Sequence, residues 1–206
     1  MTPTTPESSG DGKPLVAIGP DCVEAAAAVV VAALQPGVDA DWSVTAGDLE
    51  WSVDQTIAHM TGAPAKYALY LSSHSARYVA VRVWPADDAT RRERLEAIGA
   101  CAAALAGVAA TAPPDAVGFH VTGMRTAPQF LAMACEELLI HGYDVTCGLG
   151  LPYEPPEELC RLVIEQLLSR SGPQPASRMA LPGVAERAAP PGRHGLGPAP
   201  AAGRTG

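Results

Sequence analysis

The sequence predicts an all-α protein in which four or five helices pack as a bundle. Three observations support this fold class. Apolar side chains recur at the three- and four-residue spacing of helices through most of residues 15–171. Residues that favour helix starts precede these segments, and proline or glycine separates them. The chain, at 206 residues, is also long enough to bury one core of ordinary size.

The first helix is predicted over about residues 22–35, where alanine and valine dominate. Asp21 stands immediately before it, and aspartate is a favoured N-cap residue. Pro36 and Gly37 follow the segment and are expected to end the helix.

The second helix is predicted over about residues 53–73, and a capping motif marks its start. Ser52 and Gln55 form the S-x-x-Q capping box. Trp51, the apolar residue before the box, is expected to pack as a hydrophobic staple on the next helical turn. Pro64 lies inside the segment and predicts a kink after the third turn.

The region after the second helix is less regular. Residues 77–84 alternate between apolar and polar side chains, which is typical of a strand, although an unpaired extended crossover fits the pattern equally well. Asp88 is the predicted cap of a third helix that reaches about residue 110 and ends before two prolines. Residues 115–125 are predicted to be irregular or extended.

The last two helices are predicted from start signals that contain proline. Thr126, followed by Pro128, opens a fourth helix that extends to Gly148. A fifth helix is predicted over residues 155–170. It begins Pro-Pro-Glu-Glu, and free N–H groups and the helix dipole favour proline and acidic residues in a first turn.

Glycine and proline are concentrated at the two ends of the chain. The chain has 20 of each, and residues 1–14 and 172–206 together hold 19 of these 40 within 49 residues. The C-terminal stretch has no aromatic residue and few large apolar ones, so it buries too little surface to offset the entropy of ordering. Both ends are therefore predicted to be disordered, flanking a folded domain at residues 15–171.

Charge excludes nucleic acid as an expected partner. Residues 15–171 carry 19 acidic and 9 basic side chains, a net charge of −10, which repels a phosphate backbone. Residues 172–206 carry a net charge of +3, which is typical of a solvated linker.

A cytoplasmic location is expected, with no membrane partner. The longest apolar run, residues 25–34, has 10 residues, whereas a membrane-spanning helix needs about 20. No signal-peptide pattern precedes that run. The five cysteines are widely spaced and form no C-x-x-C pair, which favours reduced thiols over a disulfide framework.

The predicted fourth helix carries the first candidate metal ligands. Glu137 and His141 are four residues apart, so on a helix they project from one face, one turn apart, in a geometry that suits one metal ion. The surrounding segment is otherwise apolar, and a carboxylate on a core-facing stripe is costly to bury unless it is paired or metal-bound. A solvated Glu137 at the edge of the apolar stripe is the alternative, because about one acid–histidine pair at this spacing is expected by chance.

His59, on the predicted second helix, is the other candidate ligand. It belongs to a partly polar stripe with Gln55 and Thr56. The alternative is a hydrogen-bonded core or boundary histidine, which is the commoner role of a lone helical histidine. If the two helices are neighbours, His59 converges with Glu137 and His141. Three protein ligands would leave the open position typical of a catalytic metal site.

These residues also form a pair of ordered motifs. W-S-V-D-x-x-I-A-H at residues 51–59, followed by E-x-x-x-H-x-x-D at residues 137–144, resembles the metal-binding domain of mycothiol-dependent maleylpyruvate isomerases. That domain is part of the DinB-like four-helix bundle superfamily. The resemblance covers about residues 20–170 and implies a DinB-like bundle for the folded domain.

The resemblance implies a divalent metal ion, most commonly zinc, with nickel and iron as alternatives. Matched residue by residue, its ligands would be His59, Glu137 and His141. Asp144 stands at the family's trailing aspartate position and would orient a ligand rather than bind the metal.

The resemblance further implies mycothiol or a similar low-molecular-weight thiol as cosubstrate. An isomerase of this type adds a thiolate to a conjugated double bond and then eliminates it, whereas an S-transferase keeps the adduct. Arg82, together with Arg77 and Arg125, lies in a predicted extended segment and is the candidate contact for a carboxylate on the electrophilic substrate. Solvated surface arginines are the alternative interpretation.

The C-terminal tail departs from the family pattern, because full-length isomerases carry a smaller second domain at that place. Three functions therefore stay open. We expect a metal-dependent isomerase or S-transferase, the alternatives being a non-catalytic metal- or small-ligand-binding bundle and a helical interaction protein with structural histidines. The sequence assigns no catalytic residue, and a homodimer is compatible with each function.

Overall fold

The computed structural model describes residues 17–169, and this part of the chain is mostly helical, as the sequence predicts. Its elements, in chain order, are α1 (Pro20–Leu34), α2 (Val53–Ser73), α3 (Arg91–Thr111), β1 (Val117–His120), β2 (Gly123–Thr126), α4 (Ala127–Leu149) and α5 (Glu157–Leu168). A 3₁₀ turn, Gln35–Gly37, follows α1. The predicted disordered ends, residues 1–14 and 172–206, lie outside the described residues.

Two helices begin where the sequence predicts, and the capping box predicted for α2 is present. At α2, Ser52 Oγ accepts from the Gln55 N–H at 3.2 Å, and the Ser52 N–H donates to Gln55 Oε1 at 2.9 Å. At α4, the Thr126 N–H donates to Gln129 Oε1 at 2.9 Å, and Pro128 occupies the first turn, where no intrahelical bond is lost. These two helices carry the candidate ligands.

The predicted cap of α1 is wrong. The helix begins at Pro20 behind Gly19, so Asp21 lies in the first turn rather than at the N-cap. Proline is favoured at the first helical position because its φ is already helical.

The predicted cap of α3 is also wrong. Thr90 and Glu93 form a capping box, in which the Thr90 N–H donates to the Glu93 carboxylate at 2.7 Å. Asp88 therefore lies too early in the chain to cap this helix. The predicted end of α3 near residue 110 agrees with the observed end at Thr111.

The core lies between α1, α2, α3 and α4. α1 contacts α3 and α4, α2 contacts the same two helices, and α5 packs along α4. The largest fully buried side chains include Leu34, Ile57, Met60, Ile98, Phe130 and Leu138. α2 and α4 are therefore neighbours, which is the condition for convergence of the three candidate ligands.

The segments on either side of α3 cover α2. Residues 77–84 form an extended crossover with no strand partner among the described residues. This crossover passes close to α2, where a Cβ on Gly62 would collide with the Val83 carbonyl oxygen. Residues 115–125 contain β1 and most of β2, an antiparallel hairpin that packs on α2 through β1.

α3 is long and apolar enough to cross a membrane when judged by length and composition alone, with a mean hydropathy of 1.3 in its most apolar window. Its buried residues, among them Leu95 and Ile98, belong to the core of this domain. A single helix of this kind is weak evidence for a membrane location.

Gly148, on α4, lies where a neighbouring backbone excludes any side chain. A Cβ there would collide with the Thr45 carbonyl oxygen and lie 3.0 Å from the Ala46 Cα. Because rotamer changes cannot relieve contacts with backbone, we expect Gly148→Ala to lower the free energy of unfolding by about 1–3 kcal/mol. Gly107→Ala in α3, where an added Cβ meets nothing within 4 Å, should raise it by about 0.5–1 kcal/mol. Urea denaturation measures both, and equal stabilities would contradict this expectation.

Candidate metal centre

α2 and α4 bring the three candidate ligands to one point. Glu137 Oε2 lies 2.9 Å from His59 Nε2 and 3.3 Å from His141 Nε2. One ligand atom from each of the three residues lies within 4.8 Å of the other two. The predicted convergence of His59, Glu137 and His141 is therefore present in the structure.

The centre is half-buried. The side chains of His59, Glu137 and His141 retain 16%, 26% and 19% of their exposure. Glu137 is thus neither the fully solvated residue of the alternative interpretation nor sealed from solvent. A small ion or ligand has access to the carboxylate from outside.

The spacing of these donor atoms fits a zinc-sized cation. Two ligand atoms about 2.1 Å from a tetrahedral zinc ion lie about 3.4 Å apart. The two nitrogen–oxygen separations here, 2.9 and 3.3 Å, are close to that value, and the separation of the two histidine nitrogens is at most 4.8 Å. Two imidazoles and one carboxylate are also a donor set that zinc accepts, with a further position left open.

Asp144 acts on His141 from the opposite side of the ring. Its Oδ2 lies 3.0 Å from Nδ1 of His141, which precedes Asp144 by three residues on α4. A carboxylate can only accept, so Nδ1 must carry the proton in this hydrogen bond. With Nδ1 protonated, the lone pair of a neutral His141 lies on Nε2, the atom that faces Glu137.

Without a metal, the same contacts form an ion cluster. His141 then faces carboxylates at both ring nitrogens, and each of these contacts favours a proton. Burial lowers the pKa of His141, but its hydrogen bonds to Glu137 and Asp144 outweigh burial and raise it. Burial likewise raises the pKa of Glu137, while hydrogen bonds to His141 and His59 dominate and hold it well below the usual range.

We expect the stability of the metal-free protein to fall as the pH rises from about 6.5 through the raised pKa of His141. The folded pKa of His141 lies above the ordinary value of 6.5, so its contribution is complete below that value and is lost as the pH passes the folded pKa. Glu137, with a lowered pKa, contributes above about pH 4.3 and loses its contribution only in acid. Urea titrations in chelator from pH 5 to 9 measure this dependence. A His141→Gln variant should lose the alkaline decline, and a decline that persists in it would contradict this assignment.

Trp51 and Tyr67 form the walls of the centre. The Trp51 ring lies 5.1 Å from the His59 ring and 6.3 Å from the His141 ring, measured between centroids. Trp51 therefore packs against two of the candidate ligands, and its role as a hydrophobic staple stays a prediction. The Tyr67 hydroxyl donates to Glu137 Oε1 at 3.1 Å and fixes the second carboxylate oxygen.

Sequence reasoning missed Tyr67. It lies eight residues after His59, just over two helical turns, so helical spacing places both on the same side of α2. This spacing of eight residues is the feature of the sequence that could have identified Tyr67 as a neighbour of His59. Tyr67 is 3% exposed, and burial raises the pKa of its hydroxyl far above the ordinary value.

Tyr67→Phe should destabilise the protein by about 1.5–3 kcal/mol, because it removes a buried hydrogen bond to a carboxylate. Tyr143→Phe, at an exposed position on α4, should stay within about 0.5 kcal/mol of the parent protein. Chemical denaturation compares the two variants. A Tyr67→Phe variant as stable as the parent protein would show that the hydroxyl contributes nothing to holding Glu137.

The arginines proposed for substrate binding lie on the crossover after α2 and on the hairpin. Arg77 and Arg82 lie at exposed positions on the crossover between α2 and α3. Arg125 lies on β2, where its guanidinium donates to the Thr122 hydroxyl at 2.8 Å and to the Thr122 carbonyl oxygen at 3.0 Å. The structure brings the three predicted metal ligands together, and substrate binding by the arginines stays a prediction.

No protein-family model, curated protein or solved structure matches the chain. Functional interpretation therefore depends on the geometry of the centre and on the two motifs that supply its residues.

Proposed function

We propose that this protein binds a divalent metal ion through His59, Glu137 and His141 and is a thiol-dependent isomerase or S-transferase. The observation that carries the proposal is the convergence of three metal-ligating atoms from two helices within 4.8 Å. Residues 51–59 and 137–144 resemble the metal-binding domain of mycothiol-dependent maleylpyruvate isomerases, and they contain all three ligands.

A DinB-like four-helix bundle is the fold we propose for this domain. The pairwise packing of α1 and α2 against both α3 and α4 supports it. In such an arrangement, ligands on facing helices meet in the bundle interior. His59 on α2 and Glu137 on α4 have that relation.

Zinc is the metal we propose, with nickel and iron as alternatives, because two imidazoles and one carboxylate suit all three. A bound divalent cation would lower the pKa of a thiol from about 8.5 and so supply a thiolate at neutral pH. The protein residues then have distinct roles. Glu137 supplies negative charge, Asp144 orients His141, and Trp51 and Tyr67 restrict access of water to the centre.

Non-catalytic metal or ligand binding is the second candidate function. Its support is that the polar groups around the centre are engaged with one another. Tyr67 donates to Glu137, and Asp144 bonds to His141, so no separate acid or base faces the three candidate ligands among the described contacts.

Metal content tests the part that both functions share. Protein purified without a histidine tag should contain close to one equivalent of zinc, nickel or iron by elemental analysis. Chelation should lower its melting temperature, and added zinc should restore it. Metal-free protein whose stability does not respond to added metal would overturn both candidate functions.

Turnover separates the two functions. The metal-loaded protein is incubated with a low-molecular-weight thiol and a panel of electrophiles, including maleylpyruvate and a haloarene. Isomerised substrate or a thioether product that disappears on chelation supports the enzyme. Full metal occupancy without any product across the panel supports non-catalytic binding.

A further inference from the structure

The two carboxylate oxygens of Glu137 face different partners. Oε2 lies 2.9 Å from His59 Nε2 and 3.3 Å from His141 Nε2. Oε1 instead accepts a hydrogen bond from the Tyr67 hydroxyl at 3.1 Å. A carboxylate can bind one metal ion through one oxygen or through both. The structure therefore presents one oxygen of Glu137 to the two histidines and commits the other to Tyr67.

Tyr67 is held in place by the packing around its ring. The residue is 3% exposed, and its ring lies 5.5 Å from the Phe130 ring and 5.7 Å from the His120 ring, measured between centroids. To bring both of its oxygens to one ion, Glu137 would have to turn its carboxylate away from Tyr67. That turn would leave a buried hydroxyl without a partner, which is unfavourable. The hydrogen bond from Tyr67 thus favours metal binding through Oε2 alone.

The number of oxygens that Glu137 supplies decides how many positions stay open on a bound ion. With Oε2 alone, the protein supplies three donor atoms, and a four-coordinate zinc ion keeps one position for an external ligand. With both oxygens the protein supplies four donor atoms, and an external ligand must then bind as a fifth. A residue that fixes the number of bound oxygens therefore controls how readily the ion takes an external ligand.

We propose that Tyr67 is a positioning residue that restricts Glu137 to one metal-binding oxygen and so keeps a position on the ion open for a thiolate. This role rests on the proposed function, because it concerns the ion held by His59, Glu137 and His141. It goes beyond that function by assigning the open position to one hydrogen bond. Tyr67 acts through Glu137 and does not itself bind the ion.

Cobalt(II) in place of zinc tests this role on the full-length chain, because four-coordinate cobalt absorbs visible light more strongly than five-coordinate cobalt. The cobalt-loaded parent should show the strong absorption, and Tyr67→Phe with one equivalent of cobalt should absorb at least about threefold more weakly. With 2-mercaptoethanol as the probe thiol, the parent should gain a sulfur-to-cobalt charge-transfer band. Tyr67→Phe should need at least about 10-fold more thiol to develop the same band.

Tyr70→Phe is the matched control, because it removes the same hydroxyl group from the same helix at a residue that is also 3% exposed. The Tyr70 ring lies 6.5 Å from the Tyr67 ring and 6.1 Å from the Tyr78 ring. Tyr70→Phe should keep the cobalt absorption and the thiol affinity of the parent within about twofold. An equal change in both variants would indicate a general effect on packing and would overturn the role of Tyr67.

Three other outcomes would also overturn this role. These are a parent spectrum typical of five or six ligands, an unchanged spectrum and thiol affinity in Tyr67→Phe, and a folded Tyr67→Phe that takes up no cobalt. If Tyr67→Phe does not fold, as judged by circular dichroism, X-ray absorption by the zinc-loaded parent replaces it. A carboxylate bound through one oxygen would then support the role, and a carboxylate bound through both would overturn it.

Metal uptake, measured on the same samples by elemental analysis, separates this role from the proposed function. A parent protein that binds neither cobalt nor zinc would overturn the metal function and, with it, the role of Tyr67. A parent protein that binds one equivalent of metal through both oxygens of Glu137 would overturn the role of Tyr67 alone.

Discussion

His59→Ala and His141→Ala should each weaken zinc binding by more than about 100-fold. Each variant removes one of three protein ligands, and the two that remain hold the ion poorly. Losing only the hydrogen-bond partner of a ligand costs about 10–100-fold in affinity, so loss of a ligand should cost more. Competition titrations against a zinc chelator measure the dissociation constant of each variant. Unchanged affinity in either variant would show that the histidine is not a ligand.

Two matched variants control for surface histidine and charge effects. His74→Asn changes a histidine at the end of α2, where φ is +46° and asparagine is well tolerated. Glu136→Gln removes a carboxylate next to Glu137 on α4. Both controls should bind zinc as the parent does, whereas Glu137→Gln should lose binding. Circular dichroism in chelator shows whether each variant is folded.

Helix starts were predictable where the decisive interaction is local. Ser52 with Gln55 and Thr126 with Pro128 act within four residues, so the sequence contains the whole interaction, and α2 and α4 begin where predicted. The kink predicted at Pro64, inside α2, does not depend on these helix starts and stays a prediction.

The starts of α1 and α3 could not be predicted from single cap residues. Asp21 and Asp88 are favoured cap residues, but the helices are capped by Gly19 and Thr90 instead. Pro20 sets the first turn of α1, and Thr90 with Glu93 sets that of α3. The choice between competing caps depends on where the helix packs.

The hairpin could be predicted only as an irregular or extended segment. Each of its strands has four residues, and the pairing of Val117 with Thr126 depends on contacts across the turn. β1 is held against α2, where a Cβ on Gly118 would collide with the Tyr70 carbonyl oxygen. Such a close approach between backbones has no signature in a single sequence.

The candidate metal centre likewise combines one contact that the sequence could predict with others that depend on how the helices pack. Glu137 and His141 share a helical turn, so their spacing shows that they can meet. His59 lies 78 residues before Glu137, and its participation depended on α2 and α4 being neighbours.

The geometry is compatible with a metal-free state, which needs protons on the imidazole nitrogens that face Glu137, and with a metal-bound state, which needs those nitrogens free of protons. In the metal-free state, protons on the imidazoles bind the carboxylates. In the proposed metal-bound state, a cation would replace the protons between these atoms, so zinc affinity should rise with pH as metal binding releases protons. Asp144 can hold the His141 ring in both states, because its carboxylate accepts a hydrogen bond from Nδ1–H and does not involve Nε2.

Asp144→Asn should therefore weaken zinc binding by about 10–100-fold and leave the stoichiometry at one ion per chain. The carboxylate holds the His141 ring in the tautomer that presents Nε2 to the metal, and its charge makes that nitrogen a better donor. Asparagine keeps the size of the side chain but loses the charge. Competition titration measures the affinity, and elemental analysis measures the stoichiometry.

Asp48→Asn separates this effect from a general loss of negative charge, because Asp48 is exposed and the charge change is the same. It should leave zinc affinity within about twofold. Asp144 also packs against the loop before α2, where a Cβ on Gly47 would lie 3.4 Å from the Asp144 Cα. Asparagine preserves that contact, so a purely structural role predicts no change in affinity. A loss confined to Asp144→Asn would instead assign Asp144 to the orientation of His141.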